Sequence, residues 1–168
     1  MKNYWVASDH HLGHVGVTKF LNADGTKLRP WDDPDEMDEE IIKRHNELVT
    51  PNDRVYFLGD VVINRRCLPT IARLNGKKVL IKGNHDIFRL EEYMQYFEDI
   101  RAYKVMPKER IIMSHIPVHP SQLERWSGNI HGHLHGNNLD DPRYINVSME
   151  QIDYRPVLLV ELVKKLER

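Results

Sequence analysis

Residues 54–60 read RVYFLGD, an apolar run that breaks on a Gly-Asp turn. Residues 78–86, KVLIKGNHD, repeat the arrangement and end on Gly-Asn-His-Asp. Short apolar runs bounded by turn residues are the pattern of strands buried on both faces, as in parallel sheets. Helical spacing lies between them, from Leu68 to Leu74, and Asn75-Gly76 closes it. Upstream, 4–8 is a first strand that runs at once into Asp9-His10-His11. A loop over 12–31 follows, marked by Gly13, Gly16, Gly25 and Pro30. Asp33 then caps a helix whose first residue is Pro34. Met37, Ile41, His45 and Leu48 share one face of that helix, and Pro51 ends it. Downstream, a helix over 89–96 precedes strands at 100–105, 110–114, 128–133, 144–148 and 157–163. The first half therefore reads as parallel strands joined by helices. The later strands either extend that sheet or build a second one packed on it.

The 168 residues are expected to form one domain, 1–168, large enough to bury a full core without metal or disulfide staples. Hydrophobic residues make up 40% and charged residues 29%, as in soluble globular proteins. The formal charge of −1 supplies no global basic field to draw the chain to nucleic acid or membrane. Cys67 is the single cysteine, which excludes an intramolecular disulfide and fits a reducing compartment. No apolar run approaches membrane-spanning length, and the opening MKNYWVASDHH lacks a signal-peptide core. A cytoplasmic location and no membrane partner are the expectation.

Polar residues collect where the apolar runs end: Asp9 and His11, Asp60, Asn84 with His85 and Asp86, His115, then His133 and His135. Eight of the ten histidines fall in such segments. In open α/β sheets, ligands bind outside the carboxyl ends of the strands. Residues 130–136, IHGHLHG, place three imidazoles two apart, and in an extended segment alternate residues share a face. Neutral imidazole is the commonest metal ligand. The set mixes oxygen and nitrogen and has no thiolate, which suits divalent Mn, Fe, Zn, Co or Ni. Seven candidate ligands exceed what one tetrahedral ion takes and suit two ions that share a carboxylate, the clamp used in phosphoryl chemistry.

The order D-x-H, G-D, G-N-H-D, H, G-H-x-H resembles the calcineurin-like metallophosphoesterases. It is met by Asp9 and His11, Gly59-Asp60, Gly83 to Asp86, His115, and Gly132 to His135. The resemblance implies a four-layer α/β/β/α sandwich with two packed mixed β-sheets. It implies two divalent ions, with manganese the first choice. Asp9, His11 and His135 would hold one, Asn84, His115 and His133 the other, and Asp60 would bridge them. His85 would contact the scissile phosphate, beside Asn84, and protonate the leaving oxygen. The family pattern does not require His131. Protein Ser/Thr phosphatases of the superfamily carry Asp-Arg-Gly after the Gly-Asp motif and Glu after Asn-His. Here Val61-Val62-Ile63-Asn64 and Asp86 stand in those places, so the chain looks like the small phosphoesterases of bacteria and phages.

That resemblance implies a dinuclear metal-dependent phosphoesterase acting on phosphodiesters of nucleotides or similar small molecules, with a metal-bridging hydroxide as nucleophile. The alternatives are a phosphomonoesterase or nuclease of the same superfamily, or a non-catalytic metal-binding scaffold. The chemistry is consistent with the residue types. Two ions neutralise the ester's charge and lower the pKa of a bound water, and a histidine near neutrality can protonate the leaving group. Asp86 is expected to hold an imidazole in its working tautomer. Gly59 and Gly83 fit turns where backbone comes close to the site. His14 is a candidate for binding substrate phosphate, and His10 is expected to be structural. Arg29, Arg65 and Arg66 are read by default as solvated charges, although Arg suits phosphate binding.

Overall fold

The computed structural model describes residues 2–167. Two mixed sheets pack face to face. The first runs β4-β3-β2-β1-β9 and the second β5-β6-β7-β8. In the first, β1 (Tyr4–Ala7), β2 (Arg54–Phe57), β3 (Lys77–Ile81) and β4 (Asp99–Arg101) are parallel, and β9 (Val157–Leu158) lies antiparallel to β1. In the second, β5 (Tyr103–Met106) is antiparallel to β6 (Ile111–Ser114), which runs parallel to β7 (Gly128–His131), itself parallel to β8 (Tyr144–Asn146).

Strand alternation divides the apolar residues between two cores. From β1, β2 and β3, Val6, Tyr56, Val79 and Ile81 meet Ile111, Met113 and Ile130 between the sheets. On the outer face of the first sheet, Trp5, Ala7, Val55, Phe57 and Leu80 pack with Met37, Ile41 and Ile42 of α1 (Pro34–Leu48). Asp33 caps α1 as the sequence predicts, its side chain accepting from the Asp35 N–H at 3.0 Å. Pro34 opens the helix at no cost, since the first N–H has no helical partner. Leu48, expected on the apolar face, is 38% exposed. On the outer face of the second sheet, Asn129 points away from the core and accepts the Val118 N–H at 3.0 Å. That bond ties the segment leading into the 3-10 helix Pro120–Leu123 to β7.

Four expectations need correction. The run 100–105 is two strands: β4 ends at Arg101 in one sheet and β5 begins at Tyr103 in the other. The segment 157–163 gives only two strand residues before turning into α3 (Leu159–Leu166). Its Leu159, Leu162 and Val163 are buried at helical spacing, and that period overrides the β-propensity of its Leu and Val residues. The helix expected over 89–96 is a single turn, α2 (Leu90–Tyr93), and that over 68–74 is a 3-10 helix, Arg65–Arg73, with Pro69 inside it. No helix among the described residues is long and apolar enough to cross a membrane.

Candidate metal centre

β1, β2, β3, β6 and β7 all deliver their carboxyl ends to one edge of the double sheet. The turns that leave them are tied to one another by backbone bonds. The Asp9 N–H donates to Gly59 O and the His11 N–H to Asp60 O, each at 3.0 Å. The Gly132 N–H donates to His115 O, also at 3.0 Å. Following that path takes unusual dihedrals. Among the described residues, eight non-glycine residues have positive φ, and five of them are candidate ligands: Asp9, His11, Asp60, His133 and His135. For residues with a Cβ this left-handed region costs of order 1–3 kcal/mol each, and such strain gathers at functional sites. Gly59, at φ +97°, lies so close to Gly83 that a Cβ on it would sit 2.6 Å from the Gly83 Cα, which is why the two turns can meet.

The fit to metal is tested by the polar atoms these turns aim inward. One oxygen of Asp9, Oδ2, accepts the His133 N–H at 2.8 Å and lies 2.7 Å from Ser8 Oγ and 3.0 Å from Ser148 Oγ. The other, Oδ1, is buried without a hydrogen-bond partner, as is Nε2 of His11. These two orphans stand 3.8 Å apart, and His135 Nε2 is 3.7 Å from the same Oδ1. Asp60 Oδ2 lies 3.7 Å from His11 Nε2 and 3.3 Å from His115 Nε2. Asn84 Oδ1 is met by His115 Nε2 at 2.9 Å and His133 Nδ1 at 3.1 Å. Unsatisfied buried polar atoms are costly, and a cation resolves this set. Groups of three that fit one ion are Asp9–His11–His135 and Asp9–Asp60–His115.

The far ring nitrogens are fixed as metal ligands require. His115 Nδ1 lies 2.7 Å from Leu58 O, which leaves its Nε2 facing the cluster. His135 Nδ1 lies 3.0 Å from Glu150 Oε1. Arg29 holds Glu150 in turn, through Nε at 2.8 Å, and also donates to the carbonyls of Asp9 and His10. Arg29 is thus no solvated charge: at 1% exposure it is a buried clamp behind the first group of ligands.

Charge follows this geometry. Burial works to raise the Asp9 carboxyl, but His11, His115 and His135 together hold it well below the usual carboxylate range. Asp60 feels the same opposition and comes down to about 2, chiefly through its bond to His115. Both are anionic at any working pH, as ligands must be. His14 is pushed down to about 4 by burial and by its neighbour His11, so it is neutral at pH 7.

The remaining predicted residues fall as follows. His85 is half exposed, with Nδ1 2.8 Å from Asp60 Oδ2, and its geometry adds it to a potential ligand group with His11 and Asp60. His14 faces the cluster edge, Nδ1 to Nδ1 at 3.1 Å from His11. His10 is buried against Phe57. Asp86 holds no imidazole: its oxygens accept the backbone N–H groups of Asp60, Gly83 and Val61 at 2.8, 2.7 and 3.2 Å. It is the tie between two ligand-bearing turns. The alternation expected across His131, His133 and His135 stops at His131, where β7 ends, and the other two reach the cluster from left-handed turn positions. His131 itself points to the opposite side, its ring against Tyr144. Glu150 and Ser148 were not foreseen; they follow the end of β8, where the strand-end rule would have looked next.

The calcineurin-like phosphoesterase family model matches residues 2–166. The chain is 34% identical to an uncharacterized protein of Methanocaldococcus jannaschii over 183 residues, covering 100% of this chain and 93% of that protein. It is 26% identical to the Gene 66 protein of Mycobacterium phage D29, covering 89% of each. The crystal structure of a protein of unknown function from Aquifex aeolicus shares the fold, with a TM-score of 0.74 at 24% identity, covering 98% of this chain and 99% of that one. With the ordered ligand turns and the double sheet in place, this chain belongs to the calcineurin-like phosphoesterase family.

Proposed function

We propose that this chain hydrolyses small phosphodiesters, those of nucleotides or similar molecules, at a centre of two divalent ions. Family membership supports the general reaction, metal-dependent phosphoester hydrolysis. The observation that carries the finer reading is the convergence of seven inward atoms from Asp9, His11, Asp60, Asn84, His115, His133 and His135, two of them buried without partners. Asp9, His11 and His135 would hold one ion and Asn84, His115 and His133 the other, with Asp60 between them. Manganese is the ion to try first, with Fe, Zn, Ni and Co as the others this ligand set accepts. When bound, such ions neutralise the ester's charge and lower the pKa of water to near neutrality.

The chain's own residues supply the rest. Asp60 and Asp9 enter the reaction already ionised. His115 and His135 keep their orientation because a carbonyl and a carboxylate hold their far nitrogens. Asn84 stands at the exposed edge, where its carboxamide can meet an ester oxygen. His14, neutral at pH 7, offers a hydrogen bond rather than a charge to that oxygen. His85 lies on the open side of Asp60, and its proton goes to the departing alkoxide.

The test strips the protein with chelator, re-supplies Mn²⁺, and compares bis-p-nitrophenyl phosphate with p-nitrophenyl phosphate. Metal-dependent cleavage of the diester supports the reading, and His85→Ala should cost far more on an alkyl diester, whose leaving alkoxide needs a proton, than on this aryl one. Preference for the monoester would replace it with a phosphomonoesterase. Cleavage of oligonucleotides in preference to both would make it a nuclease, and bound metal without turnover a scaffold.

A further inference from the structure

Beside the centre runs a groove of about 810 Å³, bounded by the turns at 20–28 and 133–137. His133 and His135 form part of its wall, so it opens directly onto the ligand cluster. The 20–28 wall is built, not slack. Leu21 and Lys27 pair as a bridge, the Thr26 N–H donates to Asp24 Oδ1 at 3.0 Å, and the Asn22 carboxamide donates to Thr26 Oγ1 at 3.0 Å. That wall presents Phe20 and Leu21, neighbours at 47% and 63% exposure, to the groove. Leu28 and Leu134 extend the apolar surface, and Asn22 and Asn137 add carboxamides. The lining holds two carboxylates, Asp24 and Glu150, and no lysine or arginine. A second depression of about 400 Å³, with Lys82, Tyr103 and Ile116, opens on the Asn84–His115 side and shares no residue with the first.

We propose that the first groove binds the uncharged, ring-bearing alcohol arm of a small phosphodiester, a nucleoside being the chemistry that fits, and rejects arms that carry a further phosphate. The proposal rests on the phosphoesterase reading of the adjacent centre. Its volume lies in the range of small-ligand sites, and its mixture of apolar walls and a few carboxamides suits a heterocycle on a sugar. A flanking phosphate would meet the exposed Asp24 carboxylate, and the lining offers no free cation because Arg29 is already engaged by the buried Glu150; this disfavours an extended polynucleotide threading this side. The diester's other arm faces the Lys82 and Tyr103 depression.

The experiment uses Mn²⁺-loaded protein and two esters that differ by one group: thymidine 5′-(p-nitrophenyl phosphate) and the same ester bearing a 3′-phosphate. The expected result is a KM about tenfold higher for the 3′-phosphorylated ester, with that gap narrowed in Ala23→Lys. Leu21→Ala should raise KM for the first ester about fivefold and leave kcat within about twofold. Both positions are exposed and away from the ligand turns, so neither change threatens the fold. Methyl resonances of Leu21, Leu28 and Leu134 should shift on titration with thymidine, with or without metal. Hydrolysis of both esters with equal KM, or a Leu21→Ala protein that behaves as wild type, would overturn the groove assignment alone. No hydrolysis of any ester would overturn the phosphoesterase reading, and the thymidine titration would then decide the groove by itself: still methyls would end it too.

Discussion

Two regions built from the same strands behave in opposite ways. Inside the double sheet, Val6, Tyr56, Val79 and Ile81 alternate regularly and bury apolar surface. Only two residues beyond the ends of β1 and β7, and three beyond β2, the chain turns left-handed at Asp9, His133 and Asp60 and buries charge. The core gains free energy from every residue, roughly 25 cal/mol for each Å² of apolar surface removed from water. The turns lose it to strain and desolvation, and recover part of it through the bonds that tie them to one another. Stability therefore resides in the sheets and reactivity at their ends, and the two should respond to different substitutions.

The largest separation is expected at His85. His85→Ala should lower turnover by about 10²–10⁴-fold on alkyl diesters, with the melting temperature and metal content unchanged. A matched loss of stability would show that the turn is part of the core. The reverse case is Phe57, buried between α1 and the sheet beneath Asp60. Phe57→Ala should cost about 3–5 kcal/mol in chemical denaturation and leave kcat of the folded fraction within a small factor.

Asp86 sits where the regions join. Asp86→Ala leaves three backbone N–H groups buried without their acceptor, at about 1–3 kcal/mol each when left unsatisfied. Stability and metal affinity should fall together, which denaturation and calorimetry would report in one protein. If only affinity fell, Asp86 would belong to the site and not to the junction.

The smallest effect lies away from the centre. Burial raises the Asp38 carboxyl to about 6, although it accepts the Gly13 N–H at 3.0 Å. The unfolded chain ionises this group near 3.8, so its contribution to stability is full below that pH and is lost as pH rises through about 6. Asp38→Asn keeps the acceptor and removes the penalty. After discounting for solvent, it should stabilise the protein by about 1–2 kcal/mol at pH 8 and hardly at all at pH 4, as thermal melts at both values would show.

The two regions also differ in how much of them the amino-acid order reveals. β1, β2 and β3 are evident from their apolar runs, and the cap of α1 from Asp33-Pro34, because these features are local. The convergence of the candidate ligand residues is evident for the same reason: each follows a strand, and the motif order joins them. What resists reading is what the fold brings together from afar. Nothing near Arg29 says that it will be buried against Glu150, 121 residues on. Asp86 reads as a tautomer anchor because its neighbour is His85, while its partners are backbone amides of another turn. α3 reads as strand because Leu and Val serve both periods, and the packing of Leu159, Leu162 and Val163 against the inter-sheet core selects the helix. The reach of His133 and His135 depends on left-handed turns, which strand alternation does not anticipate.

On the proposed function, the strained turns hold two ions around Asp60. The most direct test of this is Mn²⁺ calorimetry with elemental analysis on the chelator-stripped chain and on Asp60→Asn. Two ions per chain are expected in the wild type. In the variant, both should weaken by at least about tenfold while the fold is retained. A single ion in the wild type, or an Asp60→Asn protein that binds two ions as tightly as before, would contradict it.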